Sequence, residues 1–327
     1  MTPNGNARST AWAFLALSLV WGGSFLFIKV GLEGLSPGQV VIGRLGFGAL
    51  TLFAIMLITR RRWPREPRLW AHMLVIAITF GVLPYLLFSW AEQSVPSGLA
   101  SIYNATTPVM TLLLTPLLLR AERLGRAQLA GVLLGVIGVL ILAAPWQLIG
   151  VPDLAGSVQG QLACLGATLC YAFSGLYLKR FVFGRGYDSL TLSAMEICLA
   201  APIALMLAPV TAVQPLHLTL PVVLSIAALG VFGTGFAYIW YYRVLGEWGA
   251  ARASTVTYLA PVVGVALGVV LLRETVNWYE PVGGLIVIAG IVASQSAWRM
   301  PRRTRRGITS PEPPRDAPRV GSRASSS

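Results

Sequence analysis

The residues Trp21-Gly-Gly-Ser24, followed by Lys29, return 150 positions later as Tyr171-Ala-Phe-Ser174, followed by Lys179. Further matches recur at a spacing of 152 or 153 residues, and they include Tyr85 with Tyr238, Pro108 with Pro261, and Glu122 with Glu274. Several matches at nearly one spacing indicate an internal duplication, so the fold consists of two copies of one unit.

The composition of the chain indicates a membrane protein. Hydrophobic residues make up 55% of its 327 residues and charged residues 11%, whereas a soluble domain is about 25% charged. Apolar runs of about 18 residues or more recur, and each is long enough to cross the hydrocarbon core as a helix with its backbone bonded internally. We predict ten spans, near residues 11–30, 38–59, 72–91, 97–119, 128–145, 159–180, 190–209, 219–242, 250–272 and 281–298.

The basic residues predict the orientation of these spans. If the N-terminus is cytoplasmic, 22 of the 25 Lys and Arg residues fall in cytoplasmic segments, as short basic loops do. Five helices are an odd number, so the second copy enters the membrane from the opposite side. The predicted fold class is therefore an all-α integral membrane protein with ten transmembrane helices in two inverted five-helix repeats.

This prediction divides the chain into four parts and places it in the cytoplasmic (inner) membrane, multi-pass, with both termini cytoplasmic. The net charge of +13 lies in loops and tail, so it does not indicate a nucleic-acid partner. The parts are a cytoplasmic N-terminus (1–10), a first repeat (11–146), a second repeat (159–298) and a basic tail (299–327), predicted to be disordered because it is poor in apolar residues.

Several stretches together resemble a known family. They are Leu19-Val-Trp-Gly-Gly-Ser-Phe25, Arg44, residues 100–108, Leu119-Arg-Ala-Glu122, and Gly131 with Gly138. In order and spacing they resemble the ten-helix members of the drug/metabolite transporter superfamily, in which an EamA-type domain is duplicated. The resemblance implies a carrier, most often an exporter of amino acids or other metabolites, although relatives move sugars, nucleotide sugars or drugs. The four-helix multidrug relatives use a glutamate in their first helix, and the first span here has no acidic residue.

Polar residues and prolines mark one face in each of two equivalent spans. In the fourth span the face holds Ser101, Asn104 and Pro108, and in the ninth it holds Ser254, Thr257, Tyr258 and Pro261. A proline in a helix frees a carbonyl for a neighbour or a solute. The two faces therefore predict a solute cavity, with hydrogen bonding between packed helices as the alternative.

Aromatic side chains add a second candidate set at mid-depth. Trp21 with Ser24, and Tyr171 with Ser174, occupy equivalent positions, and Tyr85, Tyr238 and Tyr241 lie in the third and eighth spans. Such rings are suited to an amphipathic cage around a solute. The alternative is an aromatic belt at the membrane interface.

Arg44 and Glu196 are the two clear cases of a charged residue inside a span, where burial of a charge is costly. Arg44 is a candidate for binding a carboxylate or for holding the bundle together, and Glu196 is a candidate coupling carboxylate that lies near enough to a span end to reach water. A direct pair is not predicted, because nothing in the sequence brings their helices into contact. Lys29 is predicted to extend to the interface.

These features predict a secondary transporter, an exporter of amino acids or related small metabolites that works by alternating access around a central cavity. The alternatives are a transporter of sugars, nucleotide-type metabolites or drugs, and a receptor or scaffold. Paired carboxylates and His/Cys clusters are missing from the spans, which argues against an enzyme, a metal or a cofactor. The predicted partners are a small-molecule solute and the lipid bilayer. Proton coupling, and a homodimer through Gly131-x3-Gly135, are left open.

Overall fold

A computed structural model describes residues 3–118, 125–144, 155–248 and 256–296, and over these residues the chain forms helices and loops without a β-strand. The all-helical prediction is confirmed. The predicted tail, Glu122 and Ser254 lie outside the described residues.

The described residues of the first half form seven helices and one π-helical turn. Their bounds are α1 Pro3–Gly31, α2 Pro37–Ile58, α3 Pro67–Ile76, the turn π1 Ala77–Val82, α4 Leu83–Ala91, α5 Ser97–Asn104, α6 Thr107–Leu118 and α7 Arg126–Ala143.

The described residues of the second half form a similar series, with an extra short helix and one continuous helix in place of α5 and α6. Their bounds are α8 Ala155–Phe181, α9 Ser189–Met206, the short α10 Ala208–Thr211, α11 Leu220–Gly230, the turn π2 Val231–Phe236, α12 Ala237–Trp248, α13 Val256–Leu272 and α14 Tyr279–Ser296.

Length and composition identify the helices that are able to span a membrane. Within the described ranges six qualify: Ser9–Gly31, Pro37–Ile58, Pro67–Ala91, Ser157–Phe181, Ser189–Met206 and Leu220–Val244. Three shorter helices are also apolar: Gln128–Leu142, Leu259–Leu272 and Tyr279–Gly290. The chain is therefore a multi-pass membrane protein.

Local sequence sets where two of the packed helices begin. The Ser36 hydroxyl accepts a hydrogen bond from the Gln39 N–H while the Gln39 side chain accepts one from the Ser36 N–H, and Pro37 occupies the first turn. This capping box satisfies N–H groups that have no partner within a helix. Asp188 caps α9 in a similar way, because its carboxylate accepts from the Thr191 N–H.

The helix of the fourth predicted span is interrupted just before Pro108, between α5 and α6, whereas the equivalent helix of the second half is continuous. Pro108 lacks an N–H for the Asn104 carbonyl, and the Thr107 hydroxyl donates to that carbonyl instead, at 2.7 Å. In contrast, α13 runs unbroken from Val256 to Leu272 with Pro261 inside it. Pro261 therefore does not end its helix, and the role of the carbonyl that it frees stays a prediction.

Side chains of the second half cap both ends of the α5–α6 segment. The Glu274 carboxylate accepts hydrogen bonds from the backbone N–H groups of Ser97 (2.7 Å) and Gly98 (3.0 Å). At the other end, the Arg180 guanidinium donates to the Leu118 carbonyl at 2.6 Å. A negative charge at a helix N-terminus and a positive charge at a C-terminus both complement the helix dipole.

Glycines let helices of the two halves approach closely. In the α7–α14 contact, a Cβ on Gly138 would lie 2.8 Å from the Gly283 carbonyl oxygen, and a Cβ on Gly290 would lie 2.7 Å from the Gly131 carbonyl oxygen. These two contacts are reciprocal, since Gly131 corresponds to Gly283 and Gly138 to Gly290 in the duplication. These glycines therefore allow close packing of α7 on α14 within one chain.

Candidate substrate-binding site

Arg44 of α2 is the buried cation at the centre of the site. Its side chain is 5% exposed, and its Nε donates to the Thr234 hydroxyl of π2 at 2.9 Å. The guanidinium carbon lies 3.6 Å from the centroid of the Tyr85 ring. A hydrogen bond and a ring face therefore hold the guanidinium plane in a fixed orientation.

Equivalent tyrosines from the two halves meet beside this arginine. The hydroxyl groups of Tyr85 and Tyr238 are 2.7 Å apart, and both residues are buried. The Tyr85 ring thus contacts the arginine with its face and the other half of the chain with its hydroxyl.

Further aromatic rings surround the tyrosine pair. The Trp21 ring centroid is 6.5 Å from that of Tyr238 and 5.3 Å from that of Tyr241. Phe80 of π1 lies 5.0 Å from Tyr171, 5.7 Å from Tyr238 and 5.8 Å from Tyr241. We call Trp21, Phe80, Tyr171, Tyr238 and Tyr241 the aromatic cluster. It combines residues from both halves, and the belt alternative does not describe rings that pack on one another in this way.

Two π-helical turns bring key side chains into the site. In π2 the Thr234 hydroxyl donates to the Leu229 carbonyl, five residues earlier, at 3.2 Å, and also accepts from Arg44. In π1 the Thr79 hydroxyl lies 2.5 Å from the hydroxyl of Ser174. Single π-turns occur frequently at functional sites, because the wider turn shifts side chains relative to a regular helix.

Glu196 is the buried carboxyl group of this region. It is 0% exposed, so the prediction that it reaches water is wrong. Its Oε2 accepts a hydrogen bond from the Tyr242 hydroxyl at 2.9 Å, whereas its Oε1 has no hydrogen-bond partner among the described residues. Helices α2 and α9 do pack together, but Arg44 and Glu196 bind different partners, Thr234 and Tyr242.

The smaller polar candidates have other surroundings. Ser24 donates to the Val20 carbonyl of its own helix at 2.8 Å. Ser101 donates to the Gly98 carbonyl at 2.6 Å, is fully buried, and packs against Gly264 of α13. Ser101 therefore lies in a helix-packing contact, as in the alternative interpretation of its face.

The remaining candidates lie along the fourth and ninth spans. Asn104 and Pro108 are half-buried on either side of the break between α5 and α6. Thr257 and Tyr258 begin α13, about one turn before Pro261. The structure therefore groups aromatic candidates with Arg44.

Sequence reasoning missed three residues of this region, namely Phe80, Thr234 and Tyr242. Thr234 lies between Gly233 and Gly235, and Phe80 precedes Gly81. Glycines in the third and eighth spans were the available signal, since they often mark irregular or closely packed helix. No group of three or more His, Cys, Asp or Glu residues able to hold a metal is found among the described residues.

Comparison with known proteins identifies the family. The model of the EamA-like transporter family matches the chain twice, over residues 8–144 and 158–294. This chain belongs to the EamA-like transporter family. The predicted duplication of an EamA-type domain is confirmed. The family is one of transporters rather than enzymes, so a small-molecule solute and the lipid bilayer are the partners of this chain.

Individual relatives match over most of the chain. An "uncharacterized transporter" of Archaeoglobus fulgidus is 29% identical, covering 86% of this chain and 96% of its own length. The "uncharacterized inner membrane transporter YedA" of Escherichia coli K12 is 27% identical, covering 89% of this chain and 92% of its own. A "probable amino-acid metabolite efflux pump" of Salmonella typhimurium is also 27% identical, covering 92% and 99%.

A solved crystal structure shares the fold. It superposes with a TM-score of 0.63 and 18% identity, and the match covers 89% of this chain and 97% of the other. Together with the membrane-length helices, these matches support a multi-pass inner-membrane transporter.

Proposed function

We propose that this transporter exports amino acids or similar zwitterionic metabolites by alternating access. The observation that carries the proposal is a buried arginine and a buried glutamate beside one aromatic cluster between the two halves. In support, a relative that is 27% identical is named a probable amino-acid metabolite efflux pump.

The two charges have complementary uses for a zwitterion. A guanidinium held flat by Thr234 and Tyr85 is suited to binding a carboxylate with two parallel hydrogen bonds. The Oε1 atom of Glu196 is free to accept from an ammonium group, and the tyrosine faces of the cluster attract a cation. Burying either charge without a compensating group is unfavourable, so a solute that carries both charges would relieve both.

Alternating access requires two arrangements of nearly equal energy, and an inverted duplication provides them. The reciprocal glycine contacts between α7 and α14, and the contact of Tyr85 with its own equivalent Tyr238, are what a two-fold axis through the site produces. We therefore propose ten spans in two inverted repeats, with both termini cytoplasmic as the basic loops indicate.

Glu196 is proposed to couple transport to a proton gradient. A carboxylate that exchanges a proton for the ammonium of the solute would link outward movement of the solute to inward movement of the proton. A homodimer is not required by this scheme. The faces of Gly131 and Gly138 are used within the chain, so a dimer would need another surface.

The proposal is tested by uptake into proteoliposomes that contain the purified protein. Radiolabelled amino acids, sugars and nucleosides are compared with and without an imposed pH gradient. We expect saturable uptake of an amino acid. Substituting Arg44→Gln should raise its KM by about 10- to 100-fold, because charge-assisted hydrogen bonds contribute about 1.5–3 kcal/mol. Arg61→Gln, at an exposed loop arginine, is the control and should leave KM unchanged.

The other outcomes distinguish the alternatives. Uptake of a sugar or nucleoside that is insensitive to Arg44→Gln would replace the amino-acid assignment. Uptake that ignores the pH gradient, and is unaltered by Glu196→Gln, would remove proton coupling. Absence of uptake of every solute tested would favour drug-like substrates or a receptor role.

A further inference from the structure

Glu92 is a second buried carboxyl group. It lies at the end of the molecule where the loops contain few arginines. Glu92 follows α4 directly and is 0% exposed. Neither of its carboxylate oxygens has a hydrogen-bond partner among the described residues. An isolated carboxylate without partners is strongly unfavourable in such a place, whereas the neutral acid is far less so.

The nearby cation does not bind this carboxylate. Lys29 of α1 directs its ammonium to backbone carbonyls, donating to that of Glu92 at 2.5 Å and to that of Val95 at 3.3 Å. Lys29 thus has its partners at the end of α4, and its extension to the membrane interface stays a prediction. An ionised Glu92 would compete with these carbonyls for the ammonium, so the observed arrangement is the one expected for a neutral side chain.

Charged and titratable groups face Glu92 from the packed elements around it. They are Lys29 from α1, Arg44 from α2, Cys164 from α8 and Glu274 from the loop before α14. Burial raises the pKa of the Glu92 carboxyl well above its ordinary value, while Lys29 lowers it and Glu274 raises it further. Glu274 is itself occupied, since it caps α5.

This end of the molecule is closed by contacts between the two halves. The His217 N–H donates to the Gly34 carbonyl at 2.9 Å, and the Ser36 hydroxyl donates to the Thr211 carbonyl at 3.2 Å. The Gln39 side chain donates to the Gln214 carbonyl at 2.6 Å. Opening this end would separate these pairs and bring water toward Glu92.

We propose that Glu92 is a proton-binding site that takes up a proton from the adjoining aqueous side when this end closes and returns it to the same side when the end opens. The inference rests on the alternating-access function proposed above. Neutral Glu92 tolerates burial and leaves Lys29 on the carbonyls, whereas ionised Glu92 favours the open, hydrated arrangement. No proton crosses the membrane through this site. The pH on one side thus sets the probability of closure, independently of any gradient across the membrane.

The test measures opening directly and needs no solute. The full-length chain is purified in nanodiscs, where both faces meet the same buffer, with its three cysteines replaced by alanine. Ser97→Cys places a thiol at a buried position beside Glu274, and Glu33→Cys, made separately, places one at an exposed position of the same end. The labelling rate with a hydrophilic maleimide is measured for each chain at pH 6 and at pH 8. At each pH the rate at position 97 is divided by the rate at position 33, which removes the intrinsic pH dependence of a thiol.

We expect the ratio for position 97 over position 33 to rise about fivefold or more between pH 6 and pH 8, because one titrating proton changes an equilibrium up to tenfold per pH unit. With Glu92→Gln added, the ratio should stay at its low value at both pH values. Glu33→Gln, as an exposed control in the Ser97→Cys chain, should leave the absolute labelling rate at position 97 unchanged at each pH.

Three results would overturn the proposal. The first is a ratio that does not change with pH while Glu92 is present. This measurement uses no Glu92 variant, so it does not depend on whether such a variant folds. The second is an unchanged pH response in a monodisperse Glu92→Gln protein, which would assign the titration to another group. The third is a response to replacing sodium by choline at fixed pH, which would indicate a cation site. The labelling experiment tests the role of Glu92 and the uptake experiment tests the proposed transport function. The outcome of either experiment can be interpreted without the other.

Discussion

Two adjacent glycines of α1 have opposite surroundings, and substituting them tests how α1 packs on the second half. A Cβ on Gly22 would lie 2.6 Å from the Val263 Cβ and 2.7 Å from the Ala260 carbonyl oxygen of α13. A Cβ on Gly23 would meet nothing nearer than the Leu267 Cδ1 atom at 3.5 Å, an ordinary van der Waals contact. The Gly22 contact involves backbone, which cannot rotate away, so α1 and α13 would have to separate.

The magnitude follows from two opposing effects. Replacing a mid-helix glycine by alanine stabilises a helix by about 0.8–1 kcal/mol, and both positions gain this. Overpacking costs about 1–3 kcal/mol, and only Gly22→Ala incurs it. Because the helix term cancels between the variants, Gly22→Ala should have a free energy of unfolding about 1–3 kcal/mol lower than that of Gly23→Ala.

The assay is thermal unfolding in one detergent, followed by the loss of monodisperse protein after heating. Gly23→Ala should melt at or above the wild-type temperature, and Gly22→Ala below it. Gly175→Ala, at a helical position with open space around the added methyl group, is a second control and should behave like Gly23→Ala. If Gly22→Ala and Gly23→Ala melt at the same temperature, the close approach of α1 to α13 is refuted.

Three further predictions concern single interactions. Thr234→Val leaves the buried Arg44 Nε without its acceptor and should lower stability by about 1–3 kcal/mol in thermal unfolding, whereas Thr51→Val, at a half-buried hydroxyl that bonds within its own helix, should have little effect. Asp188→Ala removes the cap of α9 and should lower the free energy of unfolding by about 1 kcal/mol. Arg61→Ala should lower it less, because the ion pair between Arg61 and Asp188 is largely exposed. Equal losses of stability in the two variants would show that the ion pair, and not the cap, stabilises α9. Burial raises the pKa of Glu92, so stability should be greatest below its unfolded pKa of about 4.3 and should fall as pH rises through the folded pKa, and Glu92→Gln should remove that slope in melting curves taken across pH.

The duplication and the charges within spans were available from the sequence because both depend on local composition and on spacing. Tyr85 and Tyr238 are a telling case, since a constant spacing named them as equivalents and the structure brings their hydroxyl groups together. The same spacing gives no distances, so it did not show that Arg44 would bond to Thr234, 190 positions away.

Other features escaped for physical reasons that can be named. A π-turn widens a helix without a strong sequence period, so neither π1 nor the position of Phe80 followed from hydrophobic spacing. Glu92 lies one residue beyond the predicted third span, so it was not weighed as a buried charge. Lys29 lies near a helix end, where extension to the interface is usual, and its spacing did not show that it would donate to the carbonyls at the end of α4.

The capping of the α5–α6 segment has a consequence for biosynthesis. Its N-terminal amides receive their acceptor from Glu274 and its C-terminal carbonyl receives a donor from Arg180. Both of these residues emerge from the ribosome after the segment itself. The segment is therefore synthesised before either cap exists, and its N-terminal amides gain their acceptor only when translation reaches Glu274. A nascent chain arrested before that point would leave the Ser97 and Gly98 amides without the Glu274 carboxylate, so the stability of the first half depends on residues that are synthesised late.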